Sequence, residues 1–161
     1  MFSPRVEMAI TTMLEAHGLA RRKAGSGFEA THVISVALIV GDFGFAEDAI
    51  VAAVLHDALE DTTLEQDVIR QRFGDRVLAI VKDVTELPKS VPWRTRKETY
   101  IEHLRRCPRD DARAVASADK IHNLSNMIIG FETHGRDFAD AFTTGIDGMI
   151  WYHQRVHRML A

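Results

Sequence analysis

The chain has 161 residues, 46% apolar and 27% charged, with a formal net charge of −3. That length suits one domain with a real core, no apolar run is long enough to span a bilayer, and no global positive field draws in a nucleic-acid polymer. The single cysteine, Cys107, excludes an internal disulfide and fits a reducing cytoplasm, and Met1-Phe2-Ser3-Pro4-Arg5 lacks the layout of a signal peptide.

Helical periodicity dominates from the start. Ser3-Pro4 reads as an N-cap with proline at the first helical position, and Val6, Ile10, Met13 and Leu14 trace an apolar face that ends near Gly18. Ala24-Gly25-Ser26-Gly27 is a predicted loop. A second helix is expected from about Thr31 to Asp42, with Val33, Val36, Ala37 and Val40 on one side. A third, from about Ala46 to Glu60, is apolar nearly all round and so central. Thr63-x-x-Gln66 resembles a capping box for a short helix that Gly74 closes, and a fifth helix is predicted over Asp75 to Glu86. After the linker from Leu87 to Pro92, helices are expected over Trp93 to Arg106, Arg109 to about Phe131 and Asp147 to Leu160, with a break marked by Gly130, Gly135 and the acidic Asp137–Asp140 region. The sum is a single all-α domain over residues 1–161, an orthogonal bundle of seven to eight helices.

His56-Asp57-Ala58-Leu59-Glu60-Asp61 stands out. A His-Asp doublet at the end of the apolar run Ala49–Leu55 is costly to bury unless each group is paired or holds a metal. His32 lies 24 residues before His56, and Asp119, alone in an apolar helical stretch, lies 62 after Asp57. Each has a plain reading by itself: a hydrogen-bonded buried pair, a helix-start histidine, a surface acid. Together they read as a divalent-metal hydrolase site assembled from three helices. The doublet splays by about 100° on a helix, so it grips one ion only at a helix end or seam where other helices add ligands. Imidazole nitrogen and carboxylate oxygen suit Mn²⁺, Fe²⁺ or Zn²⁺, and the lack of a nearby thiolate argues against a structural zinc knot. The other histidines, His122 among them, are read as surface or core residues.

The order His32, His56-Asp57, Asp119 resembles the HD phosphohydrolase pattern. Within that superfamily the chain is similar to the RelA/SpoT-type alarmone hydrolases, above all to small single-domain bacterial members. The resemblance spans about residues 15–130. It is carried by Arg22-Lys23-x-Gly25, His32, His56-Asp57-x-x-Glu60-Asp61-Thr62, Arg72-Phe73-Gly74-Asp75-x-Val77, Asp83-Val84-Thr85 and Ala118-Asp119-Lys120-Ile121-His122-Asn123-Leu124. Small members share Pro92-Trp93-Arg94-x-Arg96-Lys97-x-x-Tyr100 and Trp151-Tyr152.

The resemblance implies removal of the 3′-pyrophosphate from guanosine tetra- or pentaphosphate with Mn²⁺, Fe²⁺ or Zn²⁺ being alternatives. It implies His32, His56, Asp57 and Asp119 as metal ligands, and Glu60 and Asp61 as acid–base and water-positioning groups. It places Asn123 at the ribose or leaving oxygen, Arg22 and Lys23 beside guanine or phosphates, Phe28 against the base, and Arg96 and Lys97 at the 5′-diphosphate. The partner expected is a small nucleotide, with no nucleic-acid polymer and no membrane. The last helix, with Ile146, Met149, Ile150 and Trp151, is expected either to close the core or to form a homodimer face. A chain ending at Ala161 leads to the expectation of hydrolysis without synthesis. Val33 after the histidine and Gly27-Phe28-Glu29 before it depart from the family pattern; they leave the metal set intact and bear on nucleotide preference. Two other readings stand: an HD phosphohydrolase acting on nucleoside monophosphates, deoxynucleotides or NADPH, and a non-catalytic nucleotide sensor.

Overall fold

The computed structural model describes residues 3–22, 27–139, 142 and 144–160, with the backbone alone for Arg136 and Ala139. Helix α1 (Pro4–His17) starts as its sequence predicts: the Ser3 hydroxyl accepts from Val6 N at 3.1 Å. It stops at Gly18, whose φ of +57° only glycine adopts freely. Its buried face is Ala9, Thr12 and Met13, while Leu14 turns out to solvent. Most of the predicted loop, together with Lys23, lies outside the described residues.

Helix α2 (Glu29–Asp42) begins two residues earlier than the periodicity suggests. The reason is a backbone clasp: Arg22 N donates to Gly27 O at 3.1 Å, Glu29 N donates to Ala20 O at 2.9 Å, and Arg21 bridges Phe28. Val33, Val36, Ala37 and Val40 are buried as expected.

Helix α3 (Glu47–Leu55) is fully buried from Ala49 to Leu55. It was expected to run on to Glu60, but it ends at His56-Asp57 and restarts as the single turn α4 (Ala58–Asp61). His56 Nδ1 donates to Ala53 O at 2.8 Å, capping one of the carbonyls that a helix end leaves free. The capping box at Thr63 is not formed. Thr62 takes the local role instead, accepting from Leu64 N at 3.0 Å and donating to Ala58 O at 2.6 Å.

Helix α5 (Gln66–Phe73) ends at Gly74, and α6 (Asp75–Val84) ends two residues before the expected Glu86. That early stop frees the Glu86 N–H, which donates to Glu60 Oε1 at 2.6 Å. Helices α7 (Trp93–Arg106), α8 (Asp110–His134), α9 (Arg136–Ala139) and α10 (Gly145–Leu160) follow. Gly130 does not break α8. It lets the Phe138 ring come within 2.4 Å of where a Cβ would stand, and the helix ends at Gly135.

Eight helices of eight or more residues and two four-residue turns make up the described fold. The buried α3 sits at its centre, packed by α1, α2, α6 and α8, while α7 and α10 pair beside α8. Trp93 meets Trp151 and Tyr152 edge to face at 5.9 and 6.1 Å. Helix α10 buries Tyr152, His153 and Val156 and leaves Ile146 and Ile150 exposed.

Away from the central helix, buried Asp83 clamps α6 to the α7–α8 turn. It takes Arg109 through Nε and, at 3.0 Å, Nη2, the Cys107 thiol at 3.2 Å and His103 Nε2 at 3.2 Å. Burial pulls the Asp83 carboxyl upward, but Arg109 and Cys107 outweigh it and hold it below the usual carboxylate range. Asp83→Ala is expected to lower stability by about 2–3 kcal/mol, the scale of a hydrogen-bonded charge pair. A carboxyl whose folded value is depressed stabilises above its unfolded value of about 3.9 and loses that stabilisation as pH falls through the folded value. The gap between Asp83→Ala and the unsubstituted chain should therefore close below about pH 4, and urea midpoints across pH check it.

Candidate active site

The first turns of α2 bring His32, the α3–α4 junction brings His56 and Asp57, and the middle of α8 brings Asp119 to one point. The break between α3 and α4 is what allows both members of the doublet to face it. His32 Nε2 lies 3.2 Å from Asp119 Oδ1 and 3.5 Å from Asp57 Oδ2. His56 Nε2 lies 3.2 Å from Asp57 Oδ1 and 3.9 Å from Asp119 Oδ1. One ligand atom each of His32, His56 and Asp119 falls within a 4.8 Å span, and all three side chains are buried.

The donor set fits a divalent cation. The Ala53 carbonyl can only accept, so His56 Nδ1 carries a proton and Nε2 is the nitrogen that faces the carboxylates. That Nε2 is buried without a hydrogen-bond partner among the described residues, an arrangement that is costly unless a ligand completes it. Burial works against a charged His56, but Asp57 and Asp119 outweigh it and raise its pKa. Burial likewise pushes Asp119 up, yet Lys120 and His32 hold it well below the carboxylate range. Two carboxylates and two imidazole nitrogens thus converge on one point.

The surrounding groups are organised in layers. Asn123 Nδ2 donates to Asp119 Oδ1 at 2.5 Å, and Asn123 Oδ1 accepts from Arg22 Nη2 at 2.8 Å. Arg22 is also paired with Glu29 at 3.3 Å, so the acid that departs from the family pattern is compensated. Lys120 reaches Asp119 Oδ2 at 2.5 Å. Glu60 is held by the Glu86 N–H; burial, with the Glu86 and Asp57 charges, pushes its carboxyl up to about 7. Asp61 is more exposed and pairs with Lys89. Arg96 and Lys97 both pair with the buried Glu86 carboxylate, Arg96 at 3.0 Å.

These side chains line one cavity of about 410 Å³, completed on its far side by Trp93, Tyr100, Tyr152 and His153. Phe28 is not on its wall; its ring is covered by the Arg21 guanidinium at 4.7 Å. Sequence reasoning missed three groups. His122 Nδ1 lies 2.8 Å from His32 Nδ1, Lys120 pairs with Asp119, and Glu86 organises Glu60, Arg96 and Lys97. The signal for His122 was its place three residues after Asp119, which puts both on one helix face. Burial and the His32 and Arg22 charges push His122 down to about 4, so it is neutral and can accept from His32 Nδ1–H when His32 Nε2 faces a cation.

Fold and site together define a class, helical domains that gather a buried His/Asp cluster able to hold a divalent cation. The chain belongs to the HD domain family, whose model matches residues 9–139. It is 30% identical to the guanosine-3′,5′-bis(diphosphate) 3′-pyrophosphohydrolase of Aquifex aeolicus over 136 residues, 83% of this chain and 19% of that one. It is also 30% identical to the bifunctional (p)ppGpp synthase/hydrolase SpoT of Escherichia coli over 128 residues, 76% of this chain and 18% of that one. The chain thus spans about a fifth of the length of these curated relatives. Among solved structures it superposes on a metazoan orthologue of SpoT, described as hydrolysing ppGpp, with a TM-score of 0.81 and 25% identity, covering 99% of this chain and 87% of that one. A Listeria monocytogenes protein gives 0.74 and 35% identity, covering 80% and 82%. No helix among the described residues is long and apolar enough to cross a membrane.

Proposed function

We propose that this chain hydrolyses guanosine tetra- and pentaphosphate alarmones, releasing the 3′-pyrophosphate, with Mn²⁺ held by His32, His56, Asp57 and Asp119. The observation that carries the reading is the convergence of those four side chains beside Glu60, in a cavity whose walls bear Arg22, Arg96, Lys97 and Lys120. The relatives named for this activity support the substrate. When bound, a divalent cation supplies Lewis acidity, neutralising phosphoryl charge and acidifying water.

The chain's own groups do the rest. Glu60, pushed up to about 7, is poised near neutrality to hand a proton to the departing 3′ oxygen or take one from water. Asp61, tethered by Lys89, positions water at the cavity mouth. Asn123 and Arg22 present a hydrogen-bonded edge to ribose and base, and Arg96 and Lys97 meet the 5′-diphosphate. The buried single cysteine fits a cytoplasmic setting.

His122 acts through His32. A ligating histidine is oriented by whatever its second nitrogen bonds, and loss of such a partner typically costs 10–100-fold in metal affinity. His122→Phe, which keeps a ring and removes the acceptor, is expected to raise the Mn²⁺ dissociation constant by about 10–100-fold; calorimetric titration of the metal checks it.

The substrate is tested by pyrophosphate and phosphate release from a panel of guanosine tetraphosphate, its adenosine analogue, NADPH and common mono- and triphosphates, with Mn²⁺, Zn²⁺ or no metal. Metal-dependent pyrophosphate release from guanosine tetraphosphate alone is the expected result. Turnover of another nucleotide with that one untouched would overturn the substrate and favour the second reading, an HD phosphohydrolase of different nucleotide preference. That reading draws on Glu29, an acid on the cavity wall that occupies part of Arg22.

A further inference from the structure

The far wall of the cavity carries hydrogen-bonding groups that find no partner among the described residues. His153 is 9% exposed, and among the described residues neither of its ring nitrogens has a hydrogen-bond partner; Tyr152 is 3% exposed, and among the same residues its hydroxyl, with the Lys120 ammonium nearby, has no partner of hydrogen-bonding geometry. Arg96 Nε is buried and unmatched beside them. All three residues line the cavity. Burial and the Lys120 and Lys97 charges push His153 down to about 4, so its neutral ring offers one N–H. A native protein seldom leaves three buried polar side chains unmatched on one wall unless something else completes them.

The charge on this wall points to what completes it. Arg96 and Lys97 share the single Glu86 carboxylate, so one of these cations is in excess. The Lys97 and Lys120 ammonium groups face the same Tyr152 ring, 4.6 and 5.2 Å from its centroid. Lys120 leans on Asp119, whose other oxygen faces the two histidines. Excess positive charge and unmatched N–H and O–H groups form an acceptor-seeking surface, which phosphoryl oxygens satisfy with strong charge-assisted hydrogen bonds.

We infer that Tyr152 and His153 on α10, with Arg96, Lys97 and Lys120, form a cradle for a diphosphate group. The inference rests on the phosphohydrolase reading, which already uses Arg96, Lys97 and Lys120, and extends it to Tyr152 and His153, which that reading does not use. The family match over residues 9–139 stops short of α10, the helix that supplies these two side chains. The same cradle suits either end of a nucleoside bis(diphosphate): the pyrophosphate released at the metal or the 5′-diphosphate that stays on the nucleoside.

The test is titration calorimetry of inorganic pyrophosphate, and separately of guanosine 5′-diphosphate, into manganese-loaded protein and its His153→Phe variant. Metal content and thermal midpoint are measured alongside. Chelation by pyrophosphate enters both proteins alike and cancels in the comparison. His153→Phe keeps a ring and removes both nitrogens; it should weaken at least one of the two ligands by about tenfold or more, the scale of one lost charge-assisted bond. His153→Gln, which restores an N–H, should recover binding to within about threefold. Weakening confined to pyrophosphate assigns the cradle to the departing group, and weakening confined to the nucleotide assigns it to the 5′ end. Unchanged affinity for both ligands, or a wild type that binds neither, overturns the cradle. Should His153→Phe fail to fold, Tyr152→Phe removes one hydroxyl alone, and unchanged binding of both ligands there overturns it equally. None of these readouts depends on which nucleotide is turned over, so a wrong substrate and a wrong cradle give different results.

Discussion

Asp57→Ala is expected to abolish stoichiometric metal binding and to lower turnover by about a thousandfold or more, since several kcal/mol of charge stabilisation go with the metal and each 1.36 kcal/mol is a factor of ten. Among the four converging residues this is the cleanest one to remove. The Asp57 carboxylate is a quarter exposed, and its close neighbours at the site are the two imidazoles. Asp119 also compensates the buried Lys120 ammonium and anchors Asn123. Removing Asp119 would strand a buried charge, which is strongly destabilising, and confuse loss of metal with loss of fold. Metal content by atomic emission and steady-state turnover, measured on the same sample, check the prediction. Metal and rate both at wild-type levels would remove Asp57 from the site.

Glu60→Gln should separate the two halves of the mechanism. It keeps the shape, retains the oxygen that accepts from the Glu86 N–H, and lies outside the four ligands. Metal is expected to remain bound while turnover falls by about 10²-fold or more, the lower end for acid–base catalysis. The pH dependence carries a sign. With its pKa pushed up to about 7, Glu60 is chiefly the acid below pH 7 and chiefly the carboxylate above. If it donates to the leaving oxygen, turnover at saturating substrate falls as pH rises through about 7; if it accepts from water, turnover rises there. Either limb should flatten in Glu60→Gln. A full rate with an unaltered pH profile would take Glu60 out of the chemistry.

The site was legible to the degree that its chemistry conflicts with its surroundings. His56-Asp57 follows seven buried apolar residues, and Asp119 is itself buried in the apolar stretch of α8. Such polar groups are costly to bury without a partner, and that conflict marks them in the sequence. His122, Glu86 and His153 raise no such conflict locally. His122 matters because α2 delivers His32 to it from 90 residues away. Glu86 matters because α6 stops two residues short and leaves its N–H for Glu60. Phe28 was expected on the base, but the clasp between Arg21 and Phe28 turns its ring under a guanidinium and off the cavity wall.

By itself, then, the order of residues determined an all-α chain, the caps at Ser3 and Gly74, the buried faces of α2 and α3, and the set of groups able to hold a divalent cation. Those follow from periodicity, propensity and the cost of burying charge, all local quantities. Only the tertiary structure decided that α3 breaks at the doublet, that three elements meet within a few ångströms, and that Arg22 and Asn123 lock together. It also decided that α10 closes the cavity with Tyr152 and His153. These outcomes depend on packing between segments far apart in sequence, where small differences in helix length and crossing select among contacts that no local pattern encodes.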